Sequence, residues 1–254
     1  MKDAIPLPAF TDNYIWAWYR DGAAAVVDPG DAEVVHRWLA AENLHLSDIL
    51  LTHWHPDHTG GVAALVAETG ARVSGPAAEA DRIPPMDRQL VDGDSLEVLG
   101  ESFRVMSVPG HTLGHIAFVG KDCVFCGDTL FHMGCGRLFE GSPEQMHRSL
   151  AALAALSPDS LVYCTHEYTL ANLDFARRIE PENPRLAAVE AAARAARADN
   201  RPTLPTTIGE QRAANPFLRS EDPELAEAVS RQAGEALAPG LPTFAALRAL
   251  KDRH

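Results

Sequence analysis

The feature that most constrains this chain is an apolar segment that ends in a cluster of histidine and aspartate side chains. Residues 48–58 read DILLTHWHPDH, and the apolar run predicts a buried strand. His53 and His55 are two positions apart at the strand end, so they project to the same side. A proline then ends the extended run and places Asp57 and His58 on the turn into the next helix. Two groups facing one way and two facing another suit two metal ions side by side.

Metal binding explains this cluster better than a structural role does. An isolated H-x-H motif or a Pro-Asp-His turn is common without a metal. Four imidazole or carboxylate groups within six residues are, however, costly to bury unpaired. Both groups are also preferred ligands of Zn, Fe and Mn. We therefore predict that this cluster binds metal.

Three further segments offer ligands at predicted strand ends. His111 follows a strand and a Pro-Gly turn in SVPGHTLGH, Asp128 ends the strand of VFCGDTLF, and His166 ends that of VYCTHEY. Strand ends in α/β folds meet at one edge, where such folds usually place their sites. The two carboxylate oxygens of Asp128 suit a bridge between two cations. His115 opens the next strand, so we predict that it hydrogen-bonds beside a ligand and does not bind metal.

Short β-rich segments alternate with helical patterns up to about residue 168. They predict two packed sheets flanked by helices, an α/β sandwich. One helix opens with SPEQ, in which Ser142 is the predicted N-cap and Gln145 completes a capping box.

After residue 168 the patterns are helical and separated by proline-rich breaks such as NRPTLPTTIG. We predict a boundary here, with one domain over residues 1–168 and a small helical domain over residues 169–254. In the last helical segment, TFAALRALKD, Thr243 is the predicted cap, and Arg248 and Lys251 are neighbours on one face.

The 254-residue chain has a formal net charge of −13, which disfavours nucleic acid and anionic membranes as partners. Residues 1–180 carry 12 basic and 25 acidic side chains, whereas residues 181–254 carry 10 of each. Proline and aspartate interrupt the first residues, as they would not in a signal peptide, and no apolar run is long enough to span a bilayer. We expect a cytoplasmic monomer.

The cysteines and the remaining histidines are not predicted to take part in the site. Cys123 and Cys126 lie three apart on a predicted strand and point to opposite faces, so buried structural thiols are favoured over a redox pair. The other five histidines are predicted to be solvated or structural: His36, His45, His132, His147 and His254. Of these, His132 and His147 are predicted to lack nearby partners.

The motif T-H-x-H-x-D-H, followed by spaced His, Asp and His, resembles the signature of the metallo-β-lactamase fold superfamily. Within it the chain closely resembles the glyoxalase II family, the hydroxyacylglutathione hydrolases, over essentially its full length. The resemblance includes TDNY, VDPG, GDTLF, GCGRLFEG, HEYTLANLDFA, NPFLR and RALKD. It implies an αββα sandwich as the catalytic domain, over residues 1–168, and a small C-terminal helical domain that binds substrate, over residues 169–254.

The resemblance also implies how the ligands are shared between two divalent ions, with Zn favoured and Fe or Mn possible. It assigns His53, His55 and His111 to one ion, and Asp57, His58 and His166 to the other. Asp128 would bridge them, and Asp28 of VDPG would orient a ligand. Asp57 and Asp128 would be the catalytic carboxylates. The nucleophile would be a hydroxide formed between the two metal ions.

The implied substrate is an S-acylglutathione, typically S-D-lactoylglutathione, which is hydrolysed to D-lactate and glutathione. Arg248 and Lys251 would hold the glycine carboxylate, and Tyr168 would contact the peptide backbone of glutathione. Two positions depart from the commoner family pattern, because Arg137 replaces lysine and Phe139 replaces tyrosine. The arginine keeps the charge, whereas the phenylalanine lacks a hydroxyl for one hydrogen bond.

Other activities share the ligand motif. A glutathione persulfide dioxygenase uses one iron and O₂ and usually lacks the helical tail. A lactonase or β-lactamase has no use for Arg248 and Lys251, and nuclease members need basic surfaces. A metal-binding scaffold without activity is disfavoured because all seven ligand positions are present.

Overall fold

Two six-stranded sheets form the centre of the fold, seen in a computed structural model that describes residues 4–254. Neighbouring strands of the first sheet follow chain order: β1 (Ile5–Ala9), β2 (Asn13–Arg20), β3 (Ala23–Val27), β4 (His45–Leu50), β5 (Arg72–Pro76) and β6 (Arg88–Leu90). The first three strands are antiparallel, and β3 to β6 are parallel. Parallel strands end at a common edge, and β3 and β4 lead into the predicted ligands.

The second sheet has the spatial order β14-β13-β10-β9-β8-β7. Its strands are β7 (Ser95–Val98), β8 (Glu101–Ser107), β9 (Ile116–Val119), β10 (Cys123–Gly127), β13 (Leu161–Cys164) and β14 (Thr206–Thr207). A small separate hairpin pairs β11 (Leu130–Phe131) with β12 (Gly134–Cys135). Only β10 and β13 are parallel, and each ends just before a predicted ligand.

The helices cover the outer faces of the sheets and form most of the C-terminal part. They are α1 (Ala32–Glu42), α2 (Pro56–Thr59), α3 (Val62–Thr69), α4 (Pro143–Ala154), α5 (Thr169–Ile179), α6 (Pro184–Ala198), α7 (Ile208–Ala214), α8 (Pro223–Ala233) and α9 (Leu241–Asp252). The predicted α/β sandwich flanked by helices is therefore confirmed.

Alternation along β2 shows how the layers are joined. Trp16 and Trp18 point into the core between the sheets, where Trp18 stacks on Phe125 of β10 with 5.7 Å between ring centroids. Ile15 and Ala17 point to the other face and pack in a separate cluster with α1 and α3. Successive strand side chains face opposite sides, so one strand serves both cores.

Most elements predicted from the sequence are present. Six strands and two short helices were missed: β1, β2, β6, β11, β12, β14, α2 and α7. Residues 14–18 of β2 are buried on both faces, so this strand lacks the polar-apolar alternation that marks a half-buried strand. The missed helix α7 begins inside the proline-rich break, where Thr207 caps it by accepting a hydrogen bond from Glu210 N at 3.1 Å.

One predicted helix cap is wrong. Helix α9 begins at Leu241 after Gly240, which has a φ of 92°. Thr243 lies inside the helix, is fully buried, and donates its hydroxyl to the Ala238 carbonyl at 2.8 Å. Pro239, Pro242 and the positive φ of Gly240 set the start of the helix. The hydrogen bond of Thr243 joins the first turn of the helix to the preceding loop.

The helical C-terminal part shares its core with the sandwich. Phe175, Phe217 and Phe244 belong to the same buried cluster as Phe125. Strand β14 also pairs with β13 of the second sheet. We propose residue 168 as the boundary between the two parts, with residues 1–3 of the first part outside the described region.

The structure shows the surroundings of the four cysteines and of the histidines outside the predicted site. All four cysteines are free and buried, as predicted. The prediction that His132 and His147 lack partners is wrong, because their Nε2 atoms lie 3.1 Å from Glu210 Oε2 and 3.0 Å from Ser220 Oγ. Both partners come from segments more than 70 residues away, which no local pattern reveals. Across residues 4–254, none of the helices combines the length and apolar character needed to cross a membrane.

The capping box of α4 yields a stability prediction. Ser142 Oγ accepts a hydrogen bond from Gln145 N at 3.2 Å, and Gln145 Oε1 accepts one from Ser142 N at 2.8 Å. Replacing Ser142 by Ala should lower the free energy of unfolding by about 1 kcal/mol, because a helix donor loses its acceptor. Urea unfolding measures this, with Ser142→Asn as the control that keeps a capping oxygen. Equal stability of the Ala and Asn variants would contradict it.

Candidate metal centre

The predicted ligands meet at one edge of the sandwich, beyond the ends of strands from both sheets. His53 and His55 follow β4, Asp128 follows β10, and His166 follows β13. His111 lies on the loop between β8 and β9. Asp57 and His58 belong to the short helix α2. Loops far apart in sequence therefore supply one site, because their strands end at the same edge.

Three histidines form what we call the all-histidine cluster. His55 Nδ1 lies 3.0 Å from His53 Nε2 and 2.9 Å from His111 Nε2. Burial holds the pKa of His53 well below its ordinary value, lowers that of His111, and brings that of His55 to about 4. These rings are therefore neutral at pH 7, which is the form of imidazole that binds a metal ion.

The outer nitrogens of two of these rings are fixed by hydrogen bonds. Thr52 donates its single hydroxyl proton to Asp28 Oδ2 at 2.7 Å, so its oxygen accepts from His53 Nδ1 at 3.0 Å. His111 Nδ1 donates to the Arg137 carbonyl at 2.8 Å. Both bonds place the proton on Nδ1 and leave Nε2 as an acceptor facing the cluster.

A second group, which we call the mixed cluster, contains Asp57, His58 and His166. Asp57 Oδ2 lies 3.4 Å from His58 Nε2 and 3.5 Å from His166 Nε2. Burial lowers the pKa of His58, but the carboxylates of Asp128 and Asp28 outweigh it and hold that pKa well above its ordinary value. The mixed cluster is thus held by charge, whereas the all-histidine cluster is neutral.

Asp128 lies between the two clusters. Its Oδ2 is 3.4 Å from His111 Nε2 and 3.3 Å from His166 Nε2, and its Oδ1 is 3.4 Å from His58 Nε2. Burial raises the pKa of this carboxyl, but the nearby His166 and His58 imidazoles outweigh it and keep the pKa well below its usual range. Its carboxylate reaches ligands of both clusters at once.

Two predicted supporting residues contact the ligands directly. Asp28 accepts a hydrogen bond from His58 Nδ1 at 3.0 Å, which turns His58 Nε2 towards the mixed cluster. His115 Nδ1 lies 3.1 Å from the Ile116 carbonyl, and its Nε2 accepts from the Asp128 backbone N–H at 3.1 Å. Both nitrogens of His115 are therefore occupied, and its ring holds Asp128 in place.

Sequence reasoning missed two supporting residues on the turn between β1 and β2. Asp12 Oδ1 accepts a hydrogen bond from His166 Nδ1 at 2.7 Å. Asn13 Nδ2 donates to Asp57 Oδ2 at 3.0 Å. Both belong to the TDNY motif, but only the isolated bridge between Asn13 and His166 brings this turn beside the ligands. A contact over more than 150 residues leaves no local signal.

Glycine is required where the backbone passes closest to the ligands. A Cβ on Gly30 would lie 1.9 Å from the Asp57 carbonyl oxygen, and one on Gly136 would lie 1.9 Å from that of Asp128. No side chain fits at either distance, so these two positions allow the ligand loops to pack closely.

The donor set fits divalent metal ions. Buried His58 Nε2 and Asp128 Oδ1 have no hydrogen-bond partner within the described part of the chain. Leaving such atoms unpaired is costly, and His55 Nδ1 has at most one proton for the two acceptor nitrogens of His53 and His111 that face it. Cations coordinated by these nitrogens and oxygens would satisfy both clusters.

A cavity of about 400 Å³ leads from the clusters to the C-terminal helix α9. It reaches five of the predicted ligands, and its remaining wall includes every residue predicted to bind substrate: Arg137, Phe139, Tyr168, Arg248 and Lys251. Asn172, which the sequence analysis did not select, also lines it. A larger groove of about 560 Å³ between α5, α6 and α8 contains none of these residues and is lined by ion pairs such as Arg219–Glu180.

The far end of the cavity is cationic. Arg248 is 5% exposed, donates to the Cys135 carbonyl at 3.0 Å and pairs with Asp252 at 2.9 Å. Lys251 Nζ donates to the Ala171 carbonyl at 3.0 Å. Burial and the Arg248 charge lower the pKa of Lys251 to about 8.

Aromatic rings line the cavity near the ligands. Phe139 is 60% exposed, and its ring centroid lies 5.5 Å from that of His55 and 5.2 Å from that of His111. Tyr168 stacks on His166 with 4.6 Å between centroids. A substrate entering the cavity would therefore meet an apolar edge at Phe139.

The contact between Asp12 and His166 gives a prediction for metal affinity. Replacing Asp12 by Ala removes the acceptor that orients His166 and should weaken the binding of one zinc ion by about 10–100-fold. Competition with a chromophoric chelator measures the affinity. Asp12→Asn keeps an acceptor oxygen without the charge and should give an intermediate value. Wild-type affinity in Asp12→Ala would show that this contact does not support the ligand.

Comparison with known proteins identifies the family. Residues 10–166 match the family model of the metallo-beta-lactamase superfamily, and residues 167–254 match that of the hydroxyacylglutathione hydrolase C-terminus. The hydroxyacylglutathione hydrolase of Ectopseudomonas mendocina (strain ymp) is 52% identical over 252 residues, covering 97% of each chain.

Solved structures agree with this result. ETHE1 from Myxococcus xanthus matches with a TM-score of 0.63 and 26% identity, over 94% of this chain and 93% of that one. TTHA1623 in a di-iron-bound form matches with a TM-score of 0.60 and 25% identity, over 85% of this chain and 100% of that one. With its ligand clusters and its helical C-terminal part, the chain belongs to the hydroxyacylglutathione hydrolase family of the metallo-beta-lactamase superfamily.

Proposed function

We propose that this protein hydrolyses S-acylglutathione thioesters, with S-D-lactoylglutathione giving D-lactate and glutathione. The observation that carries the proposal is the single cavity that joins the ligand clusters to Arg248 and Lys251. A thioester at one end and an anionic peptide at the other match these two environments. Family membership supports the same substrate class.

The proposed centre holds two divalent ions, most simply zinc. His53, His55 and His111 would hold one, Asp57, His58 and His166 the other, and Asp128 would contact both. Iron and manganese accept the same donors, so availability decides between them. When bound, such ions polarise a carbonyl oxygen and lower the pKa of a water molecule from ~15.7 towards ~7.

The carboxylates at the cavity floor would do more than hold ions. Asp57 is partly exposed and its Oδ2 is fixed by Asn13, so it is placed to orient a water molecule that enters the cavity. Asp128 is buried and stays ionised, which suits a ligand that must remain negative throughout turnover. The attacking water, the thioester and these two carboxylates would meet at the same end of the cavity.

Arg248 and Lys251 would bind the glycine carboxylate of glutathione. The chain carries a net charge of −13, so an anionic substrate needs a local positive site. Both cations come from the last turns of α9, where Arg248 is buried and Lys251 is half-buried, and burial strengthens their attraction for a carboxylate. Tyr168, Arg137 and Phe139 would contact the rest of the peptide.

The chemistry needs neither a strong general acid nor a side-chain nucleophile. The leaving group is a thiolate whose parent thiol has a pKa near ~8.5, so it departs without protonation. Cys135 lines the cavity, but burial raises the pKa of its thiol and makes it a poor nucleophile. The positively charged end of the cavity equally has no role in cleaving a lactone or a β-lactam.

Substitution of Asp128 tests the centre. Asp128→Ala should lower kcat for S-D-lactoylglutathione by on the order of 100-fold or more, because Lewis-acid stabilisation is worth several kcal/mol. Hydrolysis and metal content are measured on the same preparation, with the exposed Asp159→Ala as the control. Full turnover at full metal loading would refute the assignment, and oxygen consumption with a persulfide substrate would favour a dioxygenase.

Lys251 predicts a pH dependence of substrate binding. Its ammonium is charged below a pKa of about 8 and neutral above it, so KM should rise as pH increases through that value while kcat changes less. Lys251→Arg keeps its charge and should remove this rise, whereas Lys251→Met should show a high KM at every pH. Steady-state kinetics on both sides of the pKa give the answer. A rise that persists unchanged in Lys251→Met would assign it to another group.

A further inference from the structure

Two glutamates outside the clusters contact the loops that carry the all-histidine cluster, and one of them hydrogen-bonds to both. The loops are residues 51–55, with His53 and His55, and residues 111–115, with His111. We propose that Glu79 and Glu140 are positioning residues that set the separation of these loops, and we call the pair the carboxylate clamp. The inference rests on the metal centre of the proposed function.

Glu79 is the buried member of the clamp and is 3% exposed. Its Oε1 accepts hydrogen bonds from Thr112 Oγ1 at 2.5 Å and from Gly114 N at 3.1 Å. The backbone N–H of Trp54 acts electrostatically on the same carboxylate, whose Oε2 has no hydrogen-bond partner among the described residues. Glu79 therefore hydrogen-bonds to the residue that follows His111 and acts on the residue between His53 and His55.

Glu140 hydrogen-bonds to both loops from the rim of the site. Its Oε1 accepts from the indole Nε1 of Trp54 at 3.0 Å, and its Oε2 accepts from Leu113 N at 2.9 Å. Arg82 pairs with Glu140 at 2.5 Å and lies 3.4 Å above the centre of the Trp54 ring. The indole is thus held on its edge and on its face.

The clamp matters most for His55. His53 and His111 are each fixed at Nδ1, but within residues 4–254 no hydrogen bond reaches Nε2 of His55. The His55 ring packs instead against Trp54, with 4.5 Å between ring centroids. Fixing Trp54 therefore fixes the one ligand of the cluster that lacks a hydrogen-bonding support of its own.

A backbone hydrogen bond also joins the two loops, from Ile116 N to the Thr52 carbonyl at 2.9 Å. It lies at their strand ends, whereas the clamp acts at Trp54, Thr112, Leu113 and Gly114, next to the ligands. Loss of the clamp should therefore loosen the spacing of the ligands without unpairing the strands.

The first experiment uses Glu140, because it is partly exposed and its loss leaves few buried groups unpaired. Apo protein is titrated with Zn²⁺ against a chromophoric chelator, and Co²⁺ absorption reports the geometry at each site. Glu140→Ala should lower the affinity for one Zn²⁺ ion by about 10–100-fold and change the Co²⁺ spectrum. Glu140→Gln can keep the bond to Trp54 or to Leu113, but not both, and should fall between Ala and wild type. Glu144→Gln on α4 is the matched control.

Glu79 is tested by milder changes, since Glu79→Ala leaves buried donors without an acceptor. Thr112→Val removes one bond and should weaken the same ion. Glu79→Gln can still accept from Thr112 and Gly114 through its amide oxygen, so it should retain more affinity than Thr112→Val combined with Glu140→Ala. The melting temperature of each apo protein separates loose ligands from an unstable fold.

A double variant shows which ion is affected. Asp12→Ala should weaken the binding of an ion at the mixed cluster. Asp12→Ala combined with Glu140→Ala should therefore leave no site with high Zn²⁺ affinity. One remaining tight site would show that both changes act on the same ion, which would overturn the proposal. Unchanged affinities in Glu140→Ala, or equal loss of both ions with a lower apo melting temperature, would also overturn it. A wild-type protein that binds no Zn²⁺ would instead refute the metal centre itself.

Discussion

The rest of the structure depends on the buried carboxylate of Asp128, which lies between the two ligand clusters. A buried charge is stable only when partners surround it, and here the imidazoles of His58 and His166 do so. Those rings come from two separate segments, one beyond each sheet, so the carboxylate joins the ends of both sheets. The fold can be understood as the scaffold that brings these segments to one edge.

The two clusters are supported in different ways. The mixed cluster has anionic support, because Asp28 and Asp12 accept hydrogen bonds from His58 Nδ1 and His166 Nδ1. The all-histidine cluster has neutral support at its histidines, from the Thr52 hydroxyl and the Arg137 carbonyl, and carboxylates act only on its loops. Anionic partners raise the basicity of an imidazole more than neutral ones do, so the two proposed ion sites differ in electronic character.

The helical C-terminal part adds positive charge to a cavity in the acidic sandwich. Its last helix carries Arg248 and Lys251 to the wall of the cavity, at the end away from the aspartates. The aromatic core that it shares with Phe125 fixes the position of this helix against the second sheet. The proposed binding of an anionic peptide and hydrolysis of its thioester would thus use parts of one chain that share a core.

The sequence alone determined the α/β sandwich, the helical C-terminal part and the residues of both clusters, because strand-end histidines and aspartates mark themselves by local pattern. Motifs also pointed to Asp28, Arg248 and Lys251. Only the tertiary structure brought Asp12, Asn13, Glu79 and Glu140 to the ligands, and it alone paired His132 with Glu210. Each of these contacts joins segments distant along the chain, and a hydrogen bond between distant segments depends on how strands and loops pack, which no local spacing encodes.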